Sequence, residues 1–438
     1  MHEKKQDDFK MIVHTLVNFS LPLIGSGILQ QLYNWADAFI VGNVEGELAL
    51  GAIGATTTII NFYIRAIIGF TLGLSILVGQ KFGKGEMEYI NKILAIFSVL
   101  LGLLSVIIVL FSVKHTLFIL QALHTTEDII VSAQIYLQII LLGIPFLAIY
   151  NVYSAVLRGI GDTRAPFLAV LISSVINVIL DIVFVVILRW GVEGAAVATV
   201  FSQIGMTLFL VLYTIKKYTV LRYSFSVKML DRAVLIKGLY FGMPPLIQSC
   251  VSASGNLVLQ NFMNSFGTQT VIAVTTAYRI DTITLLPIIN FGSGIATLVA
   301  QCYGAGKLYK AKKICFVGMA VMLTISVLLT VLIVLFGGYL ISLFGAGEQA
   351  TAIGQDFFVH LGSFYFIFGI ATALRGYVEG VGDIVYSSLA GIISLIFRII
   401  ASYALVDWGN MIIAYAEAFS WIVLLLLYMG RMYQKKYL

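Results

Sequence analysis

Val78–Gly85 reads VGQKFGKG, and Val299–Gly306 reads VAQCYGAG. The two stretches lie 221 residues apart (299 − 78) in a chain of 438. LRGIGD at Leu157–Asp162 returns as LRGYVEGVGD at Leu374–Asp383, with four extra residues in the second copy. SLP at Ser20–Pro22 returns as GMP at Gly242–Pro244. The second half of the chain is therefore a copy of the first, and the architecture follows from what one copy contains.

Hydrophobic residues make up 60% of the chain, charged residues 11%, and mean hydropathy is +0.99. Soluble domains carry roughly 25% charged residues. A chain this long with half that share cannot solvate its surface, which excludes a water-soluble enzyme, a disordered protein and a nucleic-acid-binding domain. A spanning helix needs about 20 mostly apolar residues. Twelve stretches qualify, near 12–42, 48–80, 89–112, 127–158, 165–188, 191–216, 234–264, 268–303, 312–343, 350–378, 384–405 and 409–433. Six spans per copy is an even number, so both copies share one orientation, as parallel repeats related by an axis along the membrane normal. The sequence predicts an all-α membrane protein with an N-lobe at 1–216, a linker at 217–233 and a C-lobe at 234–438.

The basic residues give an orientation. With the N-terminus in the cytoplasm, cytoplasmic segments hold 22 of the 27 Lys and Arg, and outer segments hold only Lys114 and Arg189. Arg65, Arg279 and Arg398 fall within spans. This positive-inside bias predicts a cell (inner) membrane protein with both termini cytoplasmic, and accounts for the net charge of +6 without an anionic partner. The N-terminal MHEKKQDDFK lacks the cleavage site of a signal peptide. Cys250, Cys302 and Cys315 form no disulfide framework, and the five histidines form no metal motif. No metal site or cofactor is expected.

Ionisable residues inside spans are functional candidates by default. Asp37 lies in the first span. Asn177 and Asp181 are i, i+4 on the fifth, so they share a face. Thr199 on the sixth span and Tyr136 on the fourth reach a similar depth. Low dielectric disfavours a charged carboxylate, so Asp37 and Asp181 suit proton exchange or coordination of sodium. Isolated helix-packing hydrogen bonds are the structural alternative. The C-lobe does not duplicate this set: the repeat puts Leu259 near Asp37, Arg398 at Asn177 and Ser402 at Asp181. Arg398 and Glu417 flank the last outer turn at comparable depth, which predicts a buried ion pair of structural or functional use. Arg65, Gln248, Asn256, Arg279 and Asp281 are candidates for a substrate cavity, or for interhelical hydrogen bonds. Pro22 lies mid-helix before Asp37, and Pro145, Pro287 and Pro244–Pro245 also interrupt spans, each permitting a kink. Gly79–Gly85 (GQKFGKG) is not a phosphate loop, because three residues rather than four precede its GK and Gly85 follows. An ion gradient is therefore the expected energy source.

Two six-helix lobes with polar residues near the seam describe an alternating-access carrier. The sequence also resembles the multidrug and toxic compound extrusion (MATE) family along essentially its whole length. LRGIGDTRAP (Leu157–Pro166), the N-x3-D of Asn177 and Asp181, GVEGAAVAT (Gly191–Thr199) and the repeated loops at Gln80 and Gln301 carry the resemblance. It is most similar to the DinF-like, MepA-like branch. That resemblance implies a V-shaped pair of six-helix bundles, and antiport of hydrophobic, often cationic compounds against protons or sodium. It also implies an N-lobe cation site of Asp37, Asn177, Asp181, Thr199 and Tyr136, with Pro22 as the bending proline. The NorM-like branch has an acidic residue on its seventh helix, where this chain offers Gln248 and Asn256. The expected partners are a small hydrophobic or cationic substrate, the coupling H+ or Na+ and membrane lipid, with the protein acting as a monomer. The competing expectation is a flippase for lipid-linked oligosaccharide or lipid.

Overall fold

The computed structural model describes residues 2–222 and 231–436, with side chains from Phe9 onward. Residues 223–230 of the connector expected at 217–233, Lys228 included, lie outside the described residues, as do the side chains of Lys4 and Lys5. Among the described residues all regular structure is helical. The first copy runs α1 (His2–Glu45), α2 (Glu47–Gly83), α3 (Met87–Lys114), α4 (Thr116–Ala122), α5 (Glu127–Leu141), α6 (Ile144–Ile160) and α7 (Arg164–Asp181). A π-helical segment, Ile182–Ile187, and α8 (Gly191–Lys217) complete it. The second runs α9 (Arg232–Asn264), α10 (Thr268–Thr284), α11 (Leu286–Gly304), α12 (Leu308–Leu343), α13 (Glu348–Gly362), α14 (Tyr365–Gly380), α15 (Ile384–Ala404) and α16 (Ile412–Gln434).

Among the described residues ten helices are long and apolar enough to span a membrane. Two more spans are bent pairs, α5 with α6 at 41° and α13 with α14 at 47°, giving twelve. The two bends fall at equivalent places of the repeat, Leu142–Gly143 and Ser363–Phe364. Prolines explain where the copies differ. Pro287 sits in the first turn of α11, where a missing N–H costs nothing, and it divides in two what the first copy builds as the unbroken α2. Pro145 opens α6 in the same way. Pro22, Pro244 and Pro245 instead lie inside continuous helices, α1 and α9.

Packing divides the chain into two compact units. The first is Gly25–Leu246. The second joins Met1–Ile24 to Ile247–Leu438. Both boundaries cut a helix just past its internal proline: α1 after Ile24 and α9 after Leu246. A proline breaks the i→i−4 ladder, so it marks where a helix can change packing partners. Each opening half-helix is held by a glycine. In the first unit, a Cβ on Gly73 of α2 would strike the carbonyl of Phe241 in α9. In the second unit, a Cβ on Gly294 of α11, the repeat equivalent of Gly73, would strike Ser20 and Phe19 of α1. Small residues at these crossings let the backbones approach closely, which is how helices associate without a hydrophobic driving force.

The last helix of each copy is pinned by an aspartate. Asp162 follows Gly161, whose φ of 100° ends α6 in the left-handed region. Asp162 Oδ2 accepts from Lys217 Nζ (2.9 Å), Tyr213 OH (3.0 Å) and Tyr218 OH (2.9 Å), at the far end of α8. Its Oδ1 accepts from the Ala165 N–H (3.2 Å) at the start of α7. In the second copy Asp383 takes a bidentate pair from Arg431 at the end of α16, at 2.6 and 3.1 Å. Burial pushes the Asp162 carboxyl up, but donors from Lys217, Tyr218, Ala165 and Tyr213 outweigh it and hold the group below the ordinary carboxylate value. A depressed carboxylate stabilises the fold fully above its unfolded value of about 3.9, and that stability is lost as pH falls through the folded value. Asp162→Asn is therefore expected to cost about 2 kcal/mol at pH 7. Thermal unfolding should show the gap between wild type and variant closing as the pH is taken well below about 4.

Candidate functional site

The first unit gathers the five residues that the sequence singles out for a cation. Asp37 of α1 is 8% exposed, Tyr136 of α5 5%, Asn177 of α7 1% and Asp181 0%. Thr199 of α8 is half-buried. The elements are brought together by an apolar cluster of Val41, Ala49, Tyr136, Ile140, Val185, Ala195 and Ala196. Val41 lies one turn after Asp37, Val185 one turn after Asp181, and Ala195 one turn before Thr199. Residues one turn apart share a helix face, so the packing of that cluster fixes its polar neighbours beside one another. Asp37 and Asp181 lie within range of each other's charge, and Tyr136 within range of both.

The chemistry lies in what the polar atoms lack. Asp37 Oδ1, both carboxylate oxygens of Asp181 and both amide atoms of Asn177 are sealed from solvent without a hydrogen-bond partner. The Thr199 hydroxyl donates to the Ala195 carbonyl (3.1 Å), which leaves its oxygen free to accept. Among the described residues no Lys or Arg pairs with either aspartate. Buried polar atoms are paired in the great majority of cases, and a buried bare carboxylate is far more costly than a neutral group. Two carboxylates, an amide and hydroxyls, with no cation paired among the described residues, make a donor set whose chemistry suits a proton or a small hard cation.

Two features lie outside the sequence expectation. The fifth span leaves α-helical geometry immediately after Asp181, with Leu188 N–H donating to Val183 O (2.9 Å), an i→i+5 bond. Such π segments are rare and concentrate at functional sites. The equivalent stretch of the second copy, 403–408, ends α15 at Ala404 and closes in a 3-10 turn at Val406–Trp408, so the π geometry belongs to the copy that carries the acid. Ile182, Val183, Val185, Val186 and Ile187 are all β-branched, and such side chains crowd an α-helix. That run was the available signal. Tyr33 and Gln203 are the residues missed. Tyr33 lies one turn before Asp37 and within range of its charge. Gln203 lies one turn after Thr199, 9% exposed, with its Oε1 unpartnered. Extending the i, i+4 pattern from Asp37 and Thr199 reaches both.

The second unit holds a different network. Arg398 Nη2 bonds Glu417 Oε2 at 2.7 Å and also donates to Tyr278 OH (2.7 Å), while Tyr278 OH donates to Glu417 Oε2 (2.9 Å). Ser402, at the position of Asp181, donates to the Arg398 carbonyl (2.9 Å). Asp281 is buried, accepts from the Tyr365 hydroxyl and lies within range of the Arg398 and Glu417 charges. The remaining cavity candidates are not gathered. Arg279 is exposed although Asp281, two residues on, is buried. Gln248 is half-buried against Gly391 of α15, and Asn256 is exposed on α9. Arg65 is exposed on α2 of the first unit, and Pro22 is half-buried inside α1.

The MatE family profile matches residues 22–183 and 244–404, one match on each copy of the repeat. The chain belongs to the MatE family. It is a multi-pass membrane transporter, not an enzyme. Among curated relatives, the probable multidrug resistance protein YpnP of Bacillus subtilis is 29% identical over 387 residues, 87% of this chain and 86% of that one. The probable multidrug resistance protein YoeA of the same organism is 25% identical over 94% of this chain and 91% of its own. A crystal structure of MATE in the bent conformation superposes with a TM-score of 0.90 at 21% identity, covering 98% of both chains. Its helical fold is the fold of this MatE chain.

Glu417→Gln strips the only carboxylate that pairs with Arg398 among the described residues. Removing one partner of a buried pair costs about 3–5 kcal/mol, whereas replacing both with apolar residues is often neutral. Thermal unfolding should find Glu417→Gln strongly destabilised and Arg398→Met/Glu417→Leu restored towards wild type.

Proposed function

We propose that this MatE transporter exports hydrophobic and cationic compounds in exchange for protons, with Asp37 and Asp181 carrying the coupling. The observation behind the proposal is the pair of buried carboxylates of which Asp37 Oδ1 and both Asp181 oxygens have no partner among the described residues. In a dry site such a pair is stable only with a proton or cation bound. Releasing that ion restores negative charge to the site, and the conformations that bind substrate and ion then differ in energy by the cost of that charge. Asn177, Thr199 and Tyr136 orient the carboxylates and offer oxygens to the ion. Sodium is the alternative ion, since the same oxygens suit it. A proton places no demand on coordination geometry, which favours the proton.

The multidrug names of YpnP and YoeA support a drug-like substrate. The positive-inside bias supports the cell membrane, with both termini in the cytoplasm. In this account Pro22 bends α1, and the bend links the state of Asp37 to the shape of the cavity. A second reading, a flippase for an anionic lipid, rests on Arg65, exposed within the span of α2, and on Arg279, exposed on α10. Arg398 drops from that account because Glu417 neutralises it.

The test is ethidium efflux driven by an imposed pH gradient, in proteoliposomes. Asp37→Asn and Asp181→Asn are each expected to lower efflux at least tenfold, while thermal unfolding shows both still folded. Wild-type efflux from both variants would overturn the proposal.

A further inference from the structure

By the 221-residue spacing that pairs the two bends and the two aspartates, Arg158 stands where the second copy has Glu379, and Ser154 stands where it has Arg375, so the arginine of the first copy lacks the partner that the second copy supplies. Arg158 and Arg375 both follow the leucine of their LRG triplets. Each has an acid four residues on: Asp162 after Arg158, and Glu379 after Arg375. In the second copy the arginine lies one turn earlier on a helix of nearly equal length, so Glu379 also lies on α14 and Arg375 Nε donates to its Oε1 at 2.7 Å. Ser387 also donates to that carboxylate (2.8 Å), and Glu379 is 5% exposed. In the first copy α6 ends at Ile160, and Gly161 turns the chain away. Asp162 is then beyond the helix, where Lys217, Tyr213, Tyr218 and the Ala165 N–H occupy both of its oxygens.

Arg158 is left with a charge that nothing nearby cancels. Its Nε is sealed from solvent without an acceptor, and it forms no ion pair among the described residues. Tyr150, two turns earlier on the same face, lies within range of the guanidinium, but its hydroxyl donates to the Pro166 carbonyl (3.4 Å), and a phenol carries no balancing charge. Sealing is confined to Nε. The residue as a whole is half-buried, so its Nη tip stays reachable. Arg164, exposed at the first residue of α7, adds a second cation at the same end of the span.

We propose that Arg158 forms an oxyanion site at the loop end of α6, which takes a phosphate group as the partner of the guanidinium. A guanidinium matches phosphate geometry with two parallel N–H bonds. A basic side chain between helices at the end of a span is placed to meet lipid headgroups. The group bound is therefore a phosphate monoanion or dianion, supplied by an anionic lipid or by free phosphate.

The experiment uses the full chain purified in an uncharged detergent, with unfolding followed by tryptophan fluorescence. Inorganic phosphate is titrated at constant ionic strength. Mixed micelles of phosphatidylglycerol are compared with phosphatidylcholine in parallel. Wild type and Arg375→Gln are scored by the shift of their own midpoints, and each is expected to gain a saturable upward shift of a few degrees that Arg158→Gln lacks. A shift with phosphatidylglycerol alone assigns the site to lipid, and a shift with inorganic phosphate alone assigns it to the free anion. An equal shift in wild type and Arg158→Gln, or none in either, overturns the proposal. Should Arg158→Gln not fold, Arg158→Lys, which keeps the charge but loses the fork, is expected to respond with weaker affinity; an unchanged midpoint of titration would contradict the site. Nothing in this assay depends on transport, so its failure leaves the coupling role of Asp37 and Asp181 untouched.

Discussion

A charge taken out of water must meet a partner, and this protein turns on how it meets that demand. In the second unit the partners are internal: Arg398 lies on Glu417, with Tyr278 bonded to both. In the first unit Asp37 Oδ1 and both oxygens of Asp181 have none among the described residues. One arrangement is a fixed bond, and the other leaves acceptors open. A buried pair adds little net stability over an apolar equivalent, so the Arg398 network is best understood as holding α10, α15 and α16 in register. The aspartates instead leave a burial cost outstanding, and the proposed coupling assigns its removal to an ion from outside.

The repeat provides the scaffold on which these differences were built. Equivalent bends interrupt the fourth and tenth spans, equivalent glycines hold the half-helices of α1 and α9, and equivalent aspartates pin α8 and α16. Against that constancy the departures stand out. The π segment follows Asp181 but has no counterpart in α15. Glu379 stands where the first copy has Arg158: the LRG triplet is shifted by one turn on a helix of nearly equal length, and no four residues are added. Each departure coincides with a change in how a buried charge is treated.

Much of this was legible in the sequence, for physical reasons. Lipid forces every span to be a long apolar helix, so twelve spans and their symmetry follow from hydropathy and two short motifs. The depths of Asp37, Asn177, Asp181, Thr199 and Tyr136 followed from counting turns inward from the loops, and all five fall within one unit. The units themselves were not legible. Hydropathy marks where a helix lies but not what it packs against, so the change of partner past Pro22 and Pro245 left no trace in composition. The break at Leu285 was signalled only as a proline, which in Pro22 leaves the helix continuous. The π segment was concealed because Ile182–Ile187 is as apolar as any ordinary span.

The central claim is that the buried carboxylates exchange protons for substrate. Liposomes containing the protein and a pH-sensitive dye, acidified inside, test it most directly: ethidium is added outside and internal pH is followed, first without sodium and then with it. The account predicts an ethidium-dependent rise in internal pH without sodium, absent in Asp37→Asn. A response that requires sodium, or one that persists unchanged in Asp37→Asn, would contradict it.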